Sequence, residues 1–138
     1  MRLIIIVFII CIANLGCETV MPIFNEQKAF NHLLAQCEFG PRNPGSDGHI
    51  KTKKYILDFV QELVDTVIVQ EFSFKSALEN KNHNGTNIIA RVNPRSNTQI
   101  LIGAHWDTRP LADQDEDSRN YEKPILGAND GASGVAVL

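Results

Sequence analysis

Three polar side chains near the end of the chain have types and spacing that could do chemistry. His105 and Asp107 follow directly after a short apolar run, residues 100–102, and Asp130 lies in a turn rich in Gly and Ala. One imidazole and two carboxylates in a low-dielectric crevice are costly, because like-charged carboxylates disfavour each other's ionised form. A divalent cation removes that cost, and this donor set suits zinc. A zinc site is therefore one interpretation of the pattern.

The same three residues also have ordinary structural uses. His105 would serve as a hydrogen-bonded histidine at a strand end, Asp107 as a turn residue, and Asp130 as the N-cap of the next helix. Trp106, between the first two, would either line a pocket or pack between loop and sheet. Residue chemistry alone leaves the metal and the structural interpretations open.

Two other ligand motifs are excluded by spacing. Gly127, Gly131 and Gly134 do not form Gly-x-Gly-x-x-Gly directly after a strand, so no dinucleotide fingerprint is present. The acidic stretch Asp113–Asp117 begins like a calcium loop, but Ser118 replaces the glycine that such a loop requires. We predict a solvated loop there.

Hydrophobic spacing predicts the elements that must position these side chains. Open α/β sheets bind ligands outside the carboxyl ends of their strands, where His105 and Asp107 would fall. The order of elements indicates an α/β fold, a three-layer α/β/α sandwich around a mixed, mostly parallel sheet. The predicted elements are a helix over about 26–38, a helix capped by Ser46 or Asp47 with apolar residues to Val64, strands over 67–74, 87–92 and 99–104, a loop over 75–85 with a turn at Asn84-Gly85, and a buried helix from Val135.

The N-terminus has the pattern of an export signal. Arg2 precedes an apolar run over residues 3–10 that is too short to span a bilayer, which predicts a signal peptide over residues 1–16 and a domain over 17–138. Asn14-Leu-Gly-Cys17 resembles a bacterial lipobox, in which the cysteine is acylated, while ordinary cleavage nearby is the alternative. We favour an exported bacterial protein, either periplasmic or a lipoprotein anchored to the membrane through Cys17.

Cysteine count and charge exclude two further classes of protein. Of three cysteines, Cys11 falls in the signal, Cys17 would carry lipid, and Cys37 remains as a small buried apolar residue, so no disulfide framework is implied. The formal net charge of -3 gives no basic footprint for nucleic acid.

The site residues lie in stretches that resemble a known family. Ala-His105-Trp-Asp107-Thr-Arg-Pro, followed by Pro-Ile-Leu-Gly-Ala-Asn-Asp130-Gly-Ala-Ser-Gly-Val-Ala-Val-Leu, resembles the zinc exopeptidase superfamily, metallopeptidase family 28, which includes bacterial leucyl aminopeptidases and glutaminyl-peptide cyclotransferases. The resemblance covers roughly residues 25–138. Within it, Thr108-Arg-Pro110, the acidic loop and residues 39–49 look most like the bacterial glutaminyl cyclases.

The resemblance implies roles for the site residues. Asp130 matches a zinc ligand of both branches, which bridges two zincs in the aminopeptidases and binds one in the cyclases. His105 matches a ligand of the second zinc in the aminopeptidases and a histidine that is not a ligand in the cyclases. Asp107 matches the carboxylate that orients this histidine, since metal-site imidazoles usually donate their other N–H to a carboxylate.

The resemblance also implies residues that would follow Leu138. A general-base Glu, a further acidic ligand and a late His ligand belong there, so no catalytic residue is expected within these 138 residues. Because Leu138 falls inside an apolar helical pattern, we expect a truncated chain that is inactive alone.

The function implied is a zinc-dependent glutaminyl-peptide cyclotransferase acting on peptide or protein N-termini. The alternatives are a di-zinc aminopeptidase of the same superfamily and a metal-free, surface-tethered binding domain.

Overall fold

The computed structural model describes residues 21–138. The predicted signal peptide of residues 1–16 and the predicted lipid attachment at Cys17 lie outside the described residues. Among the helices of the described part, none is long and apolar enough to cross a membrane.

Two helices open the described chain at the positions that the sequence predicts. Helix α1 spans Glu26–Glu38, and the side chain of its N-cap Asn25 accepts a hydrogen bond from the Lys28 amide at 2.8 Å. Helix α2 spans Asp47–Val60 behind the N-cap Ser46, so it ends four residues before the predicted apolar stripe does. Both caps satisfy an amide that the helix itself leaves unpaired, which is why these residues fix the helix starts.

Aromatic side chains hold the two helices together. The His32 ring nitrogen Nδ1 lies 2.6 Å from the Tyr55 hydroxyl, and the His32 ring meets Phe59 edge-on at a centroid distance of 4.5 Å. Burial raises the pKa of the Tyr55 hydroxyl, so Tyr55 stays neutral and can share a proton with His32. The helices therefore pack through one mixed polar and aromatic contact.

An antiparallel hairpin follows the helices. Strand β1, Thr66–Lys75, pairs with strand β2, Asn82–Arg91. The predicted turn at Asn84-Gly85 is wrong, because these residues pair with Ser73 and Phe72 inside the ladder. The chain reverses earlier, where the Ser76 amide donates to the Lys81 carbonyl at 2.8 Å and Asn80 takes a positive φ of 53°. Asn tolerates that conformation better than most residues, so the turn is formed at Asn80 and not at Asn84.

The third predicted strand, residues 99–104, is not a strand among the described residues. The segment has no ladder partner, and its three large apolar side chains are exposed: Ile100 by 84%, Leu101 by 94% and Ile102 by 69%. A strand requires a neighbour for its amides and carbonyls, and none of the described residues pairs with this segment in a ladder. The prediction rested on apolar character alone, which does not supply that neighbour.

The rest of the chain is mostly irregular. The acidic loop holds one short 3₁₀ helix, Ser118–Asn120, and a π-type turn over Ala128–Ala132 leads into helix α3, Ser133–Val137. Helix α3 is not buried as predicted, since Val137 is 62% exposed. The α/β class is confirmed, but the sheet of the described residues is one antiparallel pair, so the predicted parallel pairing is not present within them.

The interior behind the hairpin is built on Trp106. This side chain is only 9% exposed, stacks on the His49 ring of α2 at 4.3 Å, and donates from Nε1 to the Thr86 carbonyl of β2 at 3.1 Å. Trp106 therefore packs between loop and sheet, and it also borders a cavity of ≈ 300 Å³ that His105 lines. The tryptophan joins helix, hairpin and the His105 segment.

Burial lowers the pKa of His49, an effect that the Asp107 carboxylate opposes and the Lys53 ammonium adds to. The folded protein therefore binds fewer protons than the unfolded chain below about pH 6.5, where a free histidine charges. We expect the free energy of unfolding to fall as pH drops from about 7 to 5, and the His49→Phe variant to lose part of that fall. Urea unfolding of both proteins at a series of pH values measures this pH dependence. Parallel plots of unfolding free energy against pH for the two proteins would show that His49 is not its source.

Candidate active site

The structure brings His105 and Asp130 into direct contact although 25 residues separate them. The His105 ring nitrogen Nε2 lies 2.8 Å from the Asp130 carboxylate oxygen Oδ1. Both side chains are accessible, His105 by 56% and Asp130 by 84%. An imidazole and a carboxylate that meet at the surface in this way can accept a ligand from outside.

Asp107 approaches the other nitrogen of the His105 ring, Nδ1. The ring nitrogen Nδ1 lies 3.1 Å from the Asp107 backbone carbonyl, whereas the nearest carboxylate oxygen of Asp107 is 3.7 Å away. Both partners of the ring are acceptors, so a proton on Nδ1 is donated to that carbonyl and a proton on Nε2 is donated to the Asp130 carboxylate. Asp107 thus orients His105 in this structure, but through its backbone more closely than through its side chain.

The backbone around Asp130 is shaped to present its carboxylate. Asp130 is extended with φ −89° and ψ 100°, and Gly131 then takes a positive φ of 99°. A Cβ added to Gly131 would lie 3.1 Å from Cε1 of His105. Only glycine combines this φ with so close an approach, so Gly131 lets the His105 ring lie against the turn.

Asp130 is not the N-cap of the following helix. Helix α3 begins after Ala132, and no side chain caps it. The carboxylate is directed toward His105 instead, which removes the commonest structural use of an aspartate at this position.

A buried arginine that sequence reasoning did not single out holds both halves of the site. Arg42, in the loop between α1 and α2, is 0% exposed. Its guanidinium donates to the carbonyl of Trp106 at 3.0 Å on one side and to the carbonyls of Leu126 at 2.9 Å and Gly127 at 2.7 Å on the other. It therefore ties the segment that carries His105 to the segment that carries Asp130.

The backbone of Arg42 adds a second tie. Its amide donates to the Thr108 hydroxyl at 2.8 Å, and its carbonyl accepts from the Thr108 amide at 3.3 Å. Burial lowers the pKa of the Arg42 guanidinium, although the Cys37 thiol and the Asp107 carboxylate oppose the shift. An arginine remains charged under such a shift, and charged donors make the stronger hydrogen bonds.

Helix α1 also reaches the site. The Gln36 side chain, 1% exposed, donates from Nε2 to the Ala132 carbonyl at 3.1 Å. Its own backbone carbonyl accepts from Nη1 of Arg42 at 3.4 Å. Gln36 and Arg42 therefore form one buried polar unit that fixes where the Asp130 turn lies relative to α1.

A cavity of ≈ 410 Å³ opens beside the pair. His105 and Asp130 line it together with residues of the hairpin turn. The volume falls in the range of small-ligand pockets. The pair is therefore accessible from a space large enough for part of a peptide.

The acidic loop is tied to the wall of this cavity and not organised as a calcium site. Nη2 of Arg109 lies 2.7 Å from Oδ2 of Asp113, and the Arg109 guanidinium holds the pKa of that carboxyl below its usual value. The Arg119 guanidinium has the same effect on the pKa of Asp117. Two of the loop's carboxylates are thus used in local ion pairs.

His105 and Asp130 fit a metal only as part of a larger ligand set. One imidazole nitrogen and one carboxylate oxygen are donors that zinc takes. Within residues 21–138, however, no group of three or more His, Cys, Asp or Glu side chains is placed to hold a metal. A catalytic zinc normally has three protein ligands, so these two would need at least one more.

Comparison with known proteins gives a family match for the stretch that carries His105, Asp107 and Asp130. Residues 87–138 match peptidase family M28. Leucine aminopeptidase 1 of Paracoccidioides brasiliensis strain Pb03 is 25% identical over 117 residues, which cover 83% of this chain and 28% of that protein.

Solved structures resemble the chain more closely. The glutaminyl cyclase of Bacteroides thetaiotaomicron, solved with N-acetylhistamine, is 37% identical with a TM-score of 0.79. The glutaminyl cyclase of Tannerella forsythia is 36% identical and a Zn-dependent exopeptidase of Parabacteroides distasonis 32% identical, each with a TM-score of 0.80. In all three cases the match covers 83% of this chain and 39% of the solved one. The resemblance to peptidase family M28 that the sequence shows is confirmed by these matches, which span well under half of each solved chain.

Proposed function

We propose that this chain is part of a zinc-dependent glutaminyl-peptide cyclotransferase, which converts an N-terminal glutamine to pyroglutamate and releases ammonia. One observation carries the proposal: His105 and Asp130 meet at 2.8 Å beside an open cavity, within a fold similar to solved glutaminyl cyclases. The substrates are peptide or protein N-termini.

The residues that carry the narrower likeness to cyclases also build the cavity. Thr108, Arg109 and Pro110 all line it. Thr108 is 5% exposed and accepts the hydrogen bond of the Arg42 amide, while Arg109 holds the acidic loop through Asp113. Their identities thus support the cyclase branch through the shape of the wall and not through contact with the reacting atoms.

Asp130 would bind the zinc, with the remaining ligands and a general-base Glu supplied by residues beyond Leu138. A zinc ion bound there supplies a Lewis acid for the side-chain carbonyl of the N-terminal glutamine. His105 would orient the Asp130 carboxylate through Nε2, and the Asp107 carbonyl would hold the His105 ring through Nδ1.

The reaction joins the α-amine nitrogen of the substrate to its own side-chain carbonyl carbon, and the bond from that carbon to the amide nitrogen breaks. One proton moves from the amine to the departing nitrogen, which leaves as ammonia. Because the attack is intramolecular, the main task of the protein is to hold the N-terminus folded. The cavity and the rigid segments tied by Arg42 support that task.

The second candidate is a di-zinc aminopeptidase. The family is described as a peptidase family, and the contact between His105 and Asp130 also suits a pair of metals that share the aspartate. His105 would then be a metal ligand. A metal-free, surface-tethered binding domain is the third candidate, and it predicts that the ligands after Leu138 are absent.

We also propose export to the periplasm, with Cys17 as the site of a lipid anchor that tethers the domain to a membrane. Support comes from the sequence pattern of residues 1–17 alone.

The proposed activity is tested by incubating the full-length protein, replete with zinc, with a short peptide that begins with glutamine. Mass spectrometry should show the loss of one ammonia, and the chelated sample should show none. Loss of the terminal residue would instead identify an aminopeptidase. An unchanged peptide would contradict both enzymes and favour the binding domain.

Metal content separates the two enzymes. In the full-length protein, Asp130→Ala should abolish zinc binding in either case, because both share this ligand. His105→Ala should leave about one zinc per chain in a cyclase and reduce two to one in an aminopeptidase. Elemental analysis of the purified variants measures the number of zinc ions per chain. Full zinc content in the Asp130→Ala protein would contradict both assignments.

A further inference from the structure

The turn of the β-hairpin lines the same cavity as the His105 and Asp130 pair. Strand β1 ends at Lys75 and strand β2 begins at Asn82, four residues before Thr86, whose carbonyl accepts the hydrogen bond of Trp106. Residues on both sides of the turn line the same ≈ 410 Å³ cavity as His105 and Asp130: Phe74, Ser76, Leu78, Glu79 and His83. The hairpin therefore contributes directly to the space where a ligand would lie.

The turn carries an ionisable pair that is unusually well covered for a hairpin end. The Glu79 and His83 side chains are only 21% and 16% exposed, and Nε2 of His83 lies 2.8 Å from Oε2 of Glu79. Nε2 nevertheless makes no aligned hydrogen bond, so the pair is close without satisfying that atom. Covering such groups is costly unless a partner satisfies them.

The turn itself is held in place. The Ser76 amide donates to the Lys81 carbonyl at 2.8 Å, and the Ser76 hydroxyl accepts from the Glu79 amide at 3.3 Å. Glu79 is thus fixed in the backbone of a closed turn, and its carboxylate borders the cavity from a defined position.

The charges that line the cavity are biased toward acid. Glu79, Asp107 and Asp130 contribute three carboxylates, while the one lining arginine, Arg109, is already paired with Asp113. Asp130 is assigned to the metal in the proposed function and Asp107 to the orientation of His105, which leaves Glu79, one of whose carboxylate oxygens faces His83. The exposed edge of Phe74 and the side chain of Leu78 add apolar surface beside it.

We propose that the hairpin turn is the binding site for the second residue of the peptide substrate, and that Glu79 selects a basic side chain at that position. The inference rests on the proposed function, because the N-terminal residue must lie beside Asp130 for the next residue to reach the hairpin turn that lines the same cavity. The aliphatic stem of a lysine or arginine packs on Phe74 and Leu78, and its charged end contacts Glu79.

The test compares peptides Gln-Lys-Gly, Gln-Leu-Gly and Gln-Glu-Gly with the full-length protein. The wild type should favour lysine over glutamate in kcat/KM by about tenfold or more. Glu79→Gln should reduce that ratio about threefold to tenfold and leave the leucine peptide nearly unchanged, since only a charge is removed. Glu79→Lys should reverse the preference.

Glu62→Gln is the matched control, because Glu62 is an exposed carboxylate outside the cavity and its loss changes the net charge equally. A lysine-to-glutamate ratio that responds equally to Glu79→Gln and Glu62→Gln, or to neither, overturns the proposal.

A binding measurement separates this inference from the proposed function. Calorimetry of the metal-free protein with the same three peptides should show the same order of affinity and the same loss in Glu79→Gln. If the peptides are neither cyclised nor shortened but still bind in that order, the activity is wrong and the hairpin site stands. If the activity is present and neither rates nor binding respond to Glu79, the hairpin site is wrong and the activity stands.

Discussion

The geometry of the site depends on the buried guanidinium of Arg42. Its hydrogen bonds to Trp106, Gln36, Leu126 and Gly127 join three separate stretches of chain. An uncompensated buried charge would be strongly unfavourable, and buried carbonyls without donors cost about 1–3 kcal/mol each. The buried guanidinium therefore needs these carbonyls as acceptors, and the carbonyls need the guanidinium as a donor. The segments that carry His105 and Asp130 are held in place by the carbonyls that Arg42 binds.

A second polar contact supports the same region from the sheet. Trp106 is clamped between the His49 ring and the Thr86 carbonyl, so the segment that carries His105 is fixed from α2 and β2 at once. The side chains most buried in the described chain are largely polar, among them Arg42, Gln36 and Thr52. In this part of the fold, directional hydrogen bonds position the site more than apolar packing does, which suits a site that needs defined angles.

The sequence predicted well the features that depend on local signals. Asn25 and Ser46 mark the helix starts because a short polar side chain there satisfies a free amide. His105, Asp107 and Asp130 were recognised as a group from residue chemistry, and the structure brings them together. Their roles at a metal remain proposals.

The features that the sequence did not predict depend on partners that are far away along the chain. Arg42 contacts carbonyls 64, 84 and 85 residues away, and no periodicity or spacing encodes such a contact. The one local sign was an arginine set between Pro41 and Pro44, where a rigid loop would hold it in one direction. The third predicted strand is missing for the same reason, because residues 99–104 can form a strand only where a neighbouring strand pairs with them.

The most direct test of this account is the zinc affinity of the full-length Arg42→Lys protein, measured by competition with a chelator beside its resistance to urea. Lysine keeps the charge but cannot span the separated carbonyls that the planar guanidinium reaches. The account predicts that zinc binds about tenfold or more weakly and that the protein unfolds at lower urea, while the exposed control Arg119→Lys changes neither. Zinc affinity and urea resistance equal to those of the wild type would show that Arg42 does not set the geometry of the site.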